Sequence, residues 1–549
     1  MLLELSLALT IPLAPTPADE LVPGNSWMAY GHAAEAGFDA EALADVHASW
    51  RDLPSSAFMV IAEGAVVAAW GDVERRFMCH SVRKSFMSGL YGVFHDAGVI
   101  ELEVTLAELG IDDIDDGLTD AEKTARIEDL LRARSGVYRL AAYEPPQNPK
   151  PPRGSHLPGR NWCYNNWDFN TLCTIFQQVT EQDVFEAFER KFAVPLELED
   201  WRLTDGYYHY ELEKSEHPAY PFRMSARDMA RFGLLYMRSG RWADERLLSR
   251  SWIDRSTCAS SNGDHPIGGY GYMWWVFNRR PSLAAAGMYA ALGVGNQLIA
   301  VLPERGLVIV NRANTYEGES TPPGALQGLI EAVLDAQVGS PVESPELVPL
   351  AASEAELERR ALNLGAADRE LVESLTGTFP YPAPSLGFPV RATQVVTAEG
   401  ARLLCSVERS GKFRWDLMGD GRWFEEDTHG EYVPIRDAQG RVEGFATVEL
   451  VVNAALQARV NGADPERLLV QLAGLSLEAR TPVACGRLAL LAMEPDSDEL
   501  AALDGWLERG HDPAAMKAHL ERLASVLEEM DQADAAGRIR ELAKAAALR

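Results

Sequence analysis

Residues 78–86, MCHSVRKSF, set a serine three positions before a lysine where an apolar helical run begins. The run predicts a helix from about Ser81 to Ala97, with Phe86, Leu90 and Val93 on one face and Gly98 just past its end. Three-residue spacing puts Ser81 and Lys84 on the same side of that helix. Ser81 then lies at a helix N-terminus, where unpaired N–H groups and the dipole favour developing negative charge. Lys84 lies in the first turn, where the same field and any burial disfavour its ammonium form. A neutral lysine can take a serine proton, which a Ser-Lys nucleophile requires. The pattern alone is short: 30 serines and 8 lysines give about 0.4 matches by chance, so an ordinary serine near a helix start stays open on this evidence. His80 reads as structural, pointing elsewhere on the helix. Arg83, about 100° round the helix from Lys84, reads as a salt-bridge or surface group.

Outward from this stretch, 57–70 (AFMVIAEGAVVAAW) predicts a hairpin turning at Glu63-Gly64. A loop and a helix (AEKTARIEDLLRARS) are expected within 99–135, a Pro, Gly and Asn rich surface loop over 144–160, and a helix from about Asn170 to Glu189. Another helix begins near Ser225, with Ser225 and Asp228 as its N-terminal pattern. Segments between 270 and 311 read as strands, the last two joined by a tight turn at 303–306. Strands at both ends of a module, with helices between, imply one sheet built from distant halves of the chain. The Pro and Glu rich stretch 339–352 reads as a linker. Residues 353–455 read as a small β-domain, and 456–549 as a helical region. Met516, Leu520, Leu523, Leu527 and Met530 form a packing seam there, with a dimerising helix, and so a homo-oligomer, as the second reading.

Composition removes several classes. A net charge of −30 repels phosphate backbones and anionic lipid, which argues against nucleic acid as a partner. No run after the N-terminus reaches the apolar length of a membrane span. Cysteines 79, 163, 173, 258, 405 and 485 show no ligand spacing, and the 11 histidines no H-E-x-x-H, so neither metal nor cofactor is expected. Residues 1–25 are either a weak export signal or an N-terminal arm; export to the periplasm and a cytoplasmic location are both carried. Ser135 reads as a turn serine, lacking the flanking glycines of a nucleophile elbow. Residues 112–123 fail as a calcium loop, because Ile114 and Lys123 occupy ligand positions. GVGNQL, 293–298, is no dinucleotide loop.

SVRKSFMSGLYG, LLRARSGVY, PGRNWCYNNWDFN, MSARDMARFGLLYMRSGRW and YAALGVGNQLIAVLPERGLVIV, in this order, resemble the serine β-lactamase-like superfamily over roughly residues 30–335. The nearest likeness is to class C β-lactamase-related esterases (family VIII) and 6-aminohexanoate-dimer hydrolases. The resemblance implies an α/β (α+β) fold: an antiparallel sheet flanked by helices, with a helical subdomain from about 100 to 250, within residues 26–338. A lipocalin-like β-domain and a helical tail would follow. It implies Ser81 as acylated nucleophile, Lys84 as its base, and Tyr164 and Asn166 as the Tyr-x-Asn pair. A tyrosine hydroxyl close to a lysine can be held partly ionised and so can relay protons to the leaving group. Gly293 would let backbone approach the substrate, and the N–H groups of Val294 and Ser81 would form an oxyanion hole. Where β-lactamases carry Lys or His before x-Gly, this chain has Ala291-Leu292-Gly293, so the cation for a β-lactam carboxylate is missing. The function expected is hydrolysis of a small ester or amide. A β-lactamase or DD-peptidase, and a non-catalytic binding or sensor protein, are the alternatives.

Overall fold

The computed structural model describes residues 21–547 except 145–148, 263–264, 363, 366, 389, 391, 408–410, 419–421, 438 and most of 466–512. The expected signal or arm over 1–25 therefore falls largely outside the described residues. The chain divides into two compact units, Met1–Leu203 with Tyr210–Glu354, and Thr204–His209 with Ala355–Arg549. No helix of the described residues is long and apolar enough to cross a membrane.

The first unit is built on its most apolar segments. Ala57–Ala62 and Ala65–Gly71 pair as a hairpin, turning through Glu63 (φ 46°) and Gly64 (φ 94°). Two successive positive φ values give the turn whose twist matches the strands it joins. Ala57–Ala62, Gln297–Leu302 and Leu307–Arg312 are buried at every residue, so both sheet faces must be covered. The sheet runs, edge to edge, Leu347–Pro349, Met28–Tyr30, Ala65–Gly71, Ala57–Ala62, Leu307–Arg312, Gln297–Leu302, Tyr289–Gly293, Trp275–Phe277, Gly268–Tyr270 and Ser261–Asn262. Its pairs are antiparallel apart from Met28–Tyr30 against Ala65–Gly71. Helices Ala40–Arg51 and Pro323–Ala336 cover one face, packing Val46, Leu326, Ile330 and Val333 on Phe58, Val60, Leu298 and Ile309. Helix Ala226–Met237 covers the other. A Cβ on its Gly233 would lie 2.6 Å from Val308 Cγ1 and 2.8 Å from Ile299 Cγ2, so glycine lets helix and sheet close up.

Helix Arg83–Asp96 runs through the helical subdomain and is buried along most of its length. Phe86 packs on Phe188, Phe222 and Phe232 at 5.4, 5.5 and 4.9 Å between ring centroids. Burying such a ring contributes about 1.5–3 kcal/mol, which anchors the helix start beside the sheet.

Local differences from expectation have tertiary causes. The helix expected from Ser81 opens as a 3-10 turn, His80–Val82, before the α-helix begins at Arg83. The helix expected over 170–189 spans Asn166–Thr180, stops at Glu181 (φ 55°), and resumes at Val184 behind an Asp183 cap. The helix expected near 121–135 shortens to Ile127–Leu131. The linker reading of 339–352 needs correction: Leu347–Pro349 pairs with Met28–Tyr30 as an edge strand. Within 112–123, Lys123 closes an ion pair on Asp112 at 2.6 Å.

The second unit holds seven strands in sequential antiparallel order from Gly377–Tyr381 to Val442–Thr447, with Leu364–Gly365 pairing Gly411–Met418. A Cβ on Gly444 would lie 3.3 Å from the Pro380 carbonyl, so the last strand returns against the first. Helix Val448–Val460 and the hairpin Pro513–Glu529 and Ala533–Ala547 share one core. Leu520, Leu523 and Leu527 of the expected seam are buried in it.

Candidate active site

Ser81 sits in the 3-10 turn, where strand, helix and two loops converge. Lys84, one turn on, is 1% exposed, and its Nζ donates to Ser81 Oγ at 2.7 Å. The same Nζ lies 5.0 Å from the ring centroids of both Tyr164 and Phe169. Burial and the neighbouring Arg83 charge hold the Lys84 amine well below the usual lysine range, while Glu144 acts in the opposite sense. Ring faces offer an ammonium only about 0.5–2 kcal/mol, against a desolvation cost of several kcal/mol. The balance shifts toward the uncharged amine.

Tyr164 precedes helix Asn166–Thr180, whose cap residue Asn165 accepts from Trp167 N at 3.2 Å. Burial pushes the Tyr164 phenol up to about 12, against a hydrogen bond with Ser81 and the Arg83 charge. Burial thus works against the partial ionisation that a nearby lysine could support. The Tyr164 ring is stacked on Trp275, with centroids 5.5 Å apart. Asn166 Nδ2 donates to the Tyr143 carbonyl at 2.9 Å. Its Oδ1 is buried with no partner among the described residues, an acceptor available to a donor from outside.

Gly293 closes the site from the sheet. A Cβ there would lie 2.4 Å from the Cys79 carbonyl and 3.0 Å from Ser81 N. These two nearest neighbours are backbone, so any side chain would push the strand off the turn. Val294 follows, 55% exposed. Ala291 is buried on the same strand.

Three features escaped the sequence reading. Arg83, expected on the surface or in a salt bridge, is 1% exposed and pairs with no carboxylate among the described residues. His80 adopts φ 47° and contributes to the site's wall: Tyr143 Oη and Thr315 Oγ1 lie 3.2 and 2.8 Å from its two ring nitrogens. Burial first, and then the charges of Arg312 and Arg83, push that imidazole down to about 3, so it is neutral. Lys150 and Glu144 form an almost buried ion pair at 2.7 Å. Only the pairing of Lys150 with Glu144 in one loop was locally visible. Ser135 donates to Asp168 Oδ1 at 2.5 Å and accepts from Val137 N at 3.0 Å, so it braces a turn.

A serine hydroxyl bonded to a neutral lysine, beside a protonated phenol and a tight strand-to-turn contact, can support acyl transfer. The Beta-lactamase family model matches residues 41–332, just over half of the chain. Among solved structures, a candidate 6-aminohexanoate-dimer hydrolase from Bacillus anthracis is 21% identical, covering 53% of this chain and 80% of its own, with a TM-score of 0.41. A beta-lactamase from Mycobacterium bovis is 18% identical, covering 54% and 100%, with a TM-score of 0.40. An octameric penicillin-binding protein homologue from Pyrococcus abyssi is 14% identical, covering 72% and 96%, with a TM-score of 0.41. No curated protein matches this sequence.

Proposed function

Because the chain belongs to the Beta-lactamase family, we propose that it hydrolyses a small ester or amide through an acyl-Ser81 intermediate. The observation that carries this reading is the 2.7 Å contact between Ser81 Oγ and a buried Lys84 amine. Lys84 takes the Ser81 proton as Oγ attacks the substrate carbonyl carbon. The carbonyl electron pair moves onto oxygen, facing the N–H groups of Ser81 and Val294. As the C–O or C–N bond breaks, the proton passes from Lys84 through Tyr164 to the leaving alkoxide or amine. Water then attacks the acyl carbon and gives up a proton to the Lys84–Tyr164 pair. The acid departs and Ser81 Oγ recovers its proton. Asn166 Oδ1, buried without a partner among the described residues, accepts from a substrate N–H.

Ala291 offers no charge to a substrate carboxylate, so neutral esters and amides fit better than β-lactams. A panel of p-nitrophenyl esters, nitrocefin and D-amino-acid amides tests this. We expect the best ester to exceed nitrocefin in kcat/KM by about 10- to 100-fold, the value of one charged hydrogen bond. Nitrocefin turnover equal to that of the best ester would contradict it.

A further inference from the structure

Arg83 stands next to Lys84 and is as deeply buried as it. Its Nη1 donates to the His80 carbonyl at 3.4 Å and its Nη2 to Asn170 Oδ1 at 3.3 Å. Its Nε has no partner among the described residues. The guanidinium lies over the rings of Tyr220 and Tyr143, at 4.8 and 5.7 Å. No carboxylate among the described residues lies within ion-pair distance of it. Arg231, just as buried, shows the usual arrangement: Glu199 faces it at 2.9 Å.

A buried cation without a counter-charge is costly to desolvate. Two long neutral hydrogen bonds and two ring faces return only part of that cost. Packing alone does not call for this residue, because methionine would fill similar volume without the charge. Its charge acts against protonation of the adjacent, equally buried Lys84 amine. Around Lys84 stand Ser81 Oγ, the neutral Tyr164 phenol, the Phe169 ring, neutral His80, Arg83 and Glu144. Glu144 pulls the other way, but its carboxylate is already paired with Lys150 at 2.7 Å. Arg83 is left as the unneutralised charge beside the amine.

We propose that Arg83 is a positioning residue for catalysis: its buried guanidinium, without a carboxylate partner among the described residues, favours the adjacent Lys84 amine as acceptor of the Ser81 proton. The proposal rests on Lys84 being the base, and the test separates the two ideas. The measurement is kcat/KM against pH for p-nitrophenyl acetate, in the wild type, R83M, R83Q, R83K and K84M. Activity should fall on the acid side as Lys84 gains a proton. Removing the neighbouring cation makes that protonation easier, so the acid limb of R83M and R83Q should move to higher pH by about one unit. At a fixed pH on that limb, this is about a tenfold further loss. R83K, which keeps the charge, should hold the limb at the wild-type position. A limb unmoved in both neutral variants, with K84M inactive, overturns the role of Arg83 and leaves Lys84 as base. A K84M enzyme that still turns over ester overturns both. A uniform drop at every pH would mark Arg83 as purely structural.

Discussion

Lys84→Met is expected to abolish ester turnover and to make the protein more stable. Lys84 is 1% exposed, with Tyr164 and Phe169 rings against its amine. Without the Lys84 amine at 2.7 Å to take it, the Ser81 proton stays on Oγ, which remains a weak nucleophile. Loss of general-base assistance predicts a fall in kcat/KM of about 10²–10⁴ or more. Stability should move the other way, because methionine fills the same space without an amine to desolvate. The gain should be on the order of 1 kcal/mol or more at neutral pH. Its pH dependence carries a sign. The folded-state lysine lies below its ordinary value, so the unfolded chain binds a proton that the native state does not. Wild-type stability therefore rises with pH through that window, and the advantage of Lys84→Met shrinks as pH approaches the ordinary lysine value, about 10.4. Thermal melts of both proteins from pH 6 to 10, with ester kinetics alongside, check both halves. An inactive variant that melts below wild type at every pH would contradict the burial cost assigned to this amine.

Gly293→Ala is expected to be nearly as damaging through geometry alone. The backbone at Gly293 is extended, φ −136°, so alanine is allowed there conformationally. The obstacle is space: the new methyl would fall 2.4 Å from the Cys79 carbonyl and 3.2 Å from His80 Cβ. The strand Tyr289–Gly293 cannot slide away freely, because five residue pairs fix its register against Gln297–Leu302. Relief must come from separating Val294 from Ser81. Losing one oxyanion donor costs about 10²–10³ in kcat. Overpacking should add about 1–3 kcal/mol of destabilisation. Kinetics and urea unfolding of Gly293→Ala test this. Turnover within threefold of wild type, read against that 10²–10³ expectation, would show that this strand does not form part of the anion site.

Much of this was legible locally, and the misses share a cause. Glu63-Gly64 between two apolar runs announced the hairpin, since a two-residue turn needs backbone that glycine permits. The order of segments around SVRKSF pointed to the family to which the chain belongs. Arg83 was misread because a helical wheel assumes an outer face, and the first turn of Arg83–Asp96 has none. The strand Leu347–Pro349 was hidden because its pairing with Met28–Tyr30 joins residues some 300 positions apart. His80 takes a left-handed backbone between Tyr143 and Thr315, and nothing in CHS encodes those contacts. Tyr164 reads as able to ionise in part because lysine is near; burial, which also disfavours charge on Lys84, works against it.

The central claim is that Ser81 carries the acyl group. Peptide mapping by mass spectrometry after labelling with a fluorophosphonate tests it most directly. The predicted result is one adduct, on Ser81, absent from Ser81→Ala, with loss of ester turnover in parallel. An adduct on another serine, or full turnover by Ser81→Ala, would contradict it.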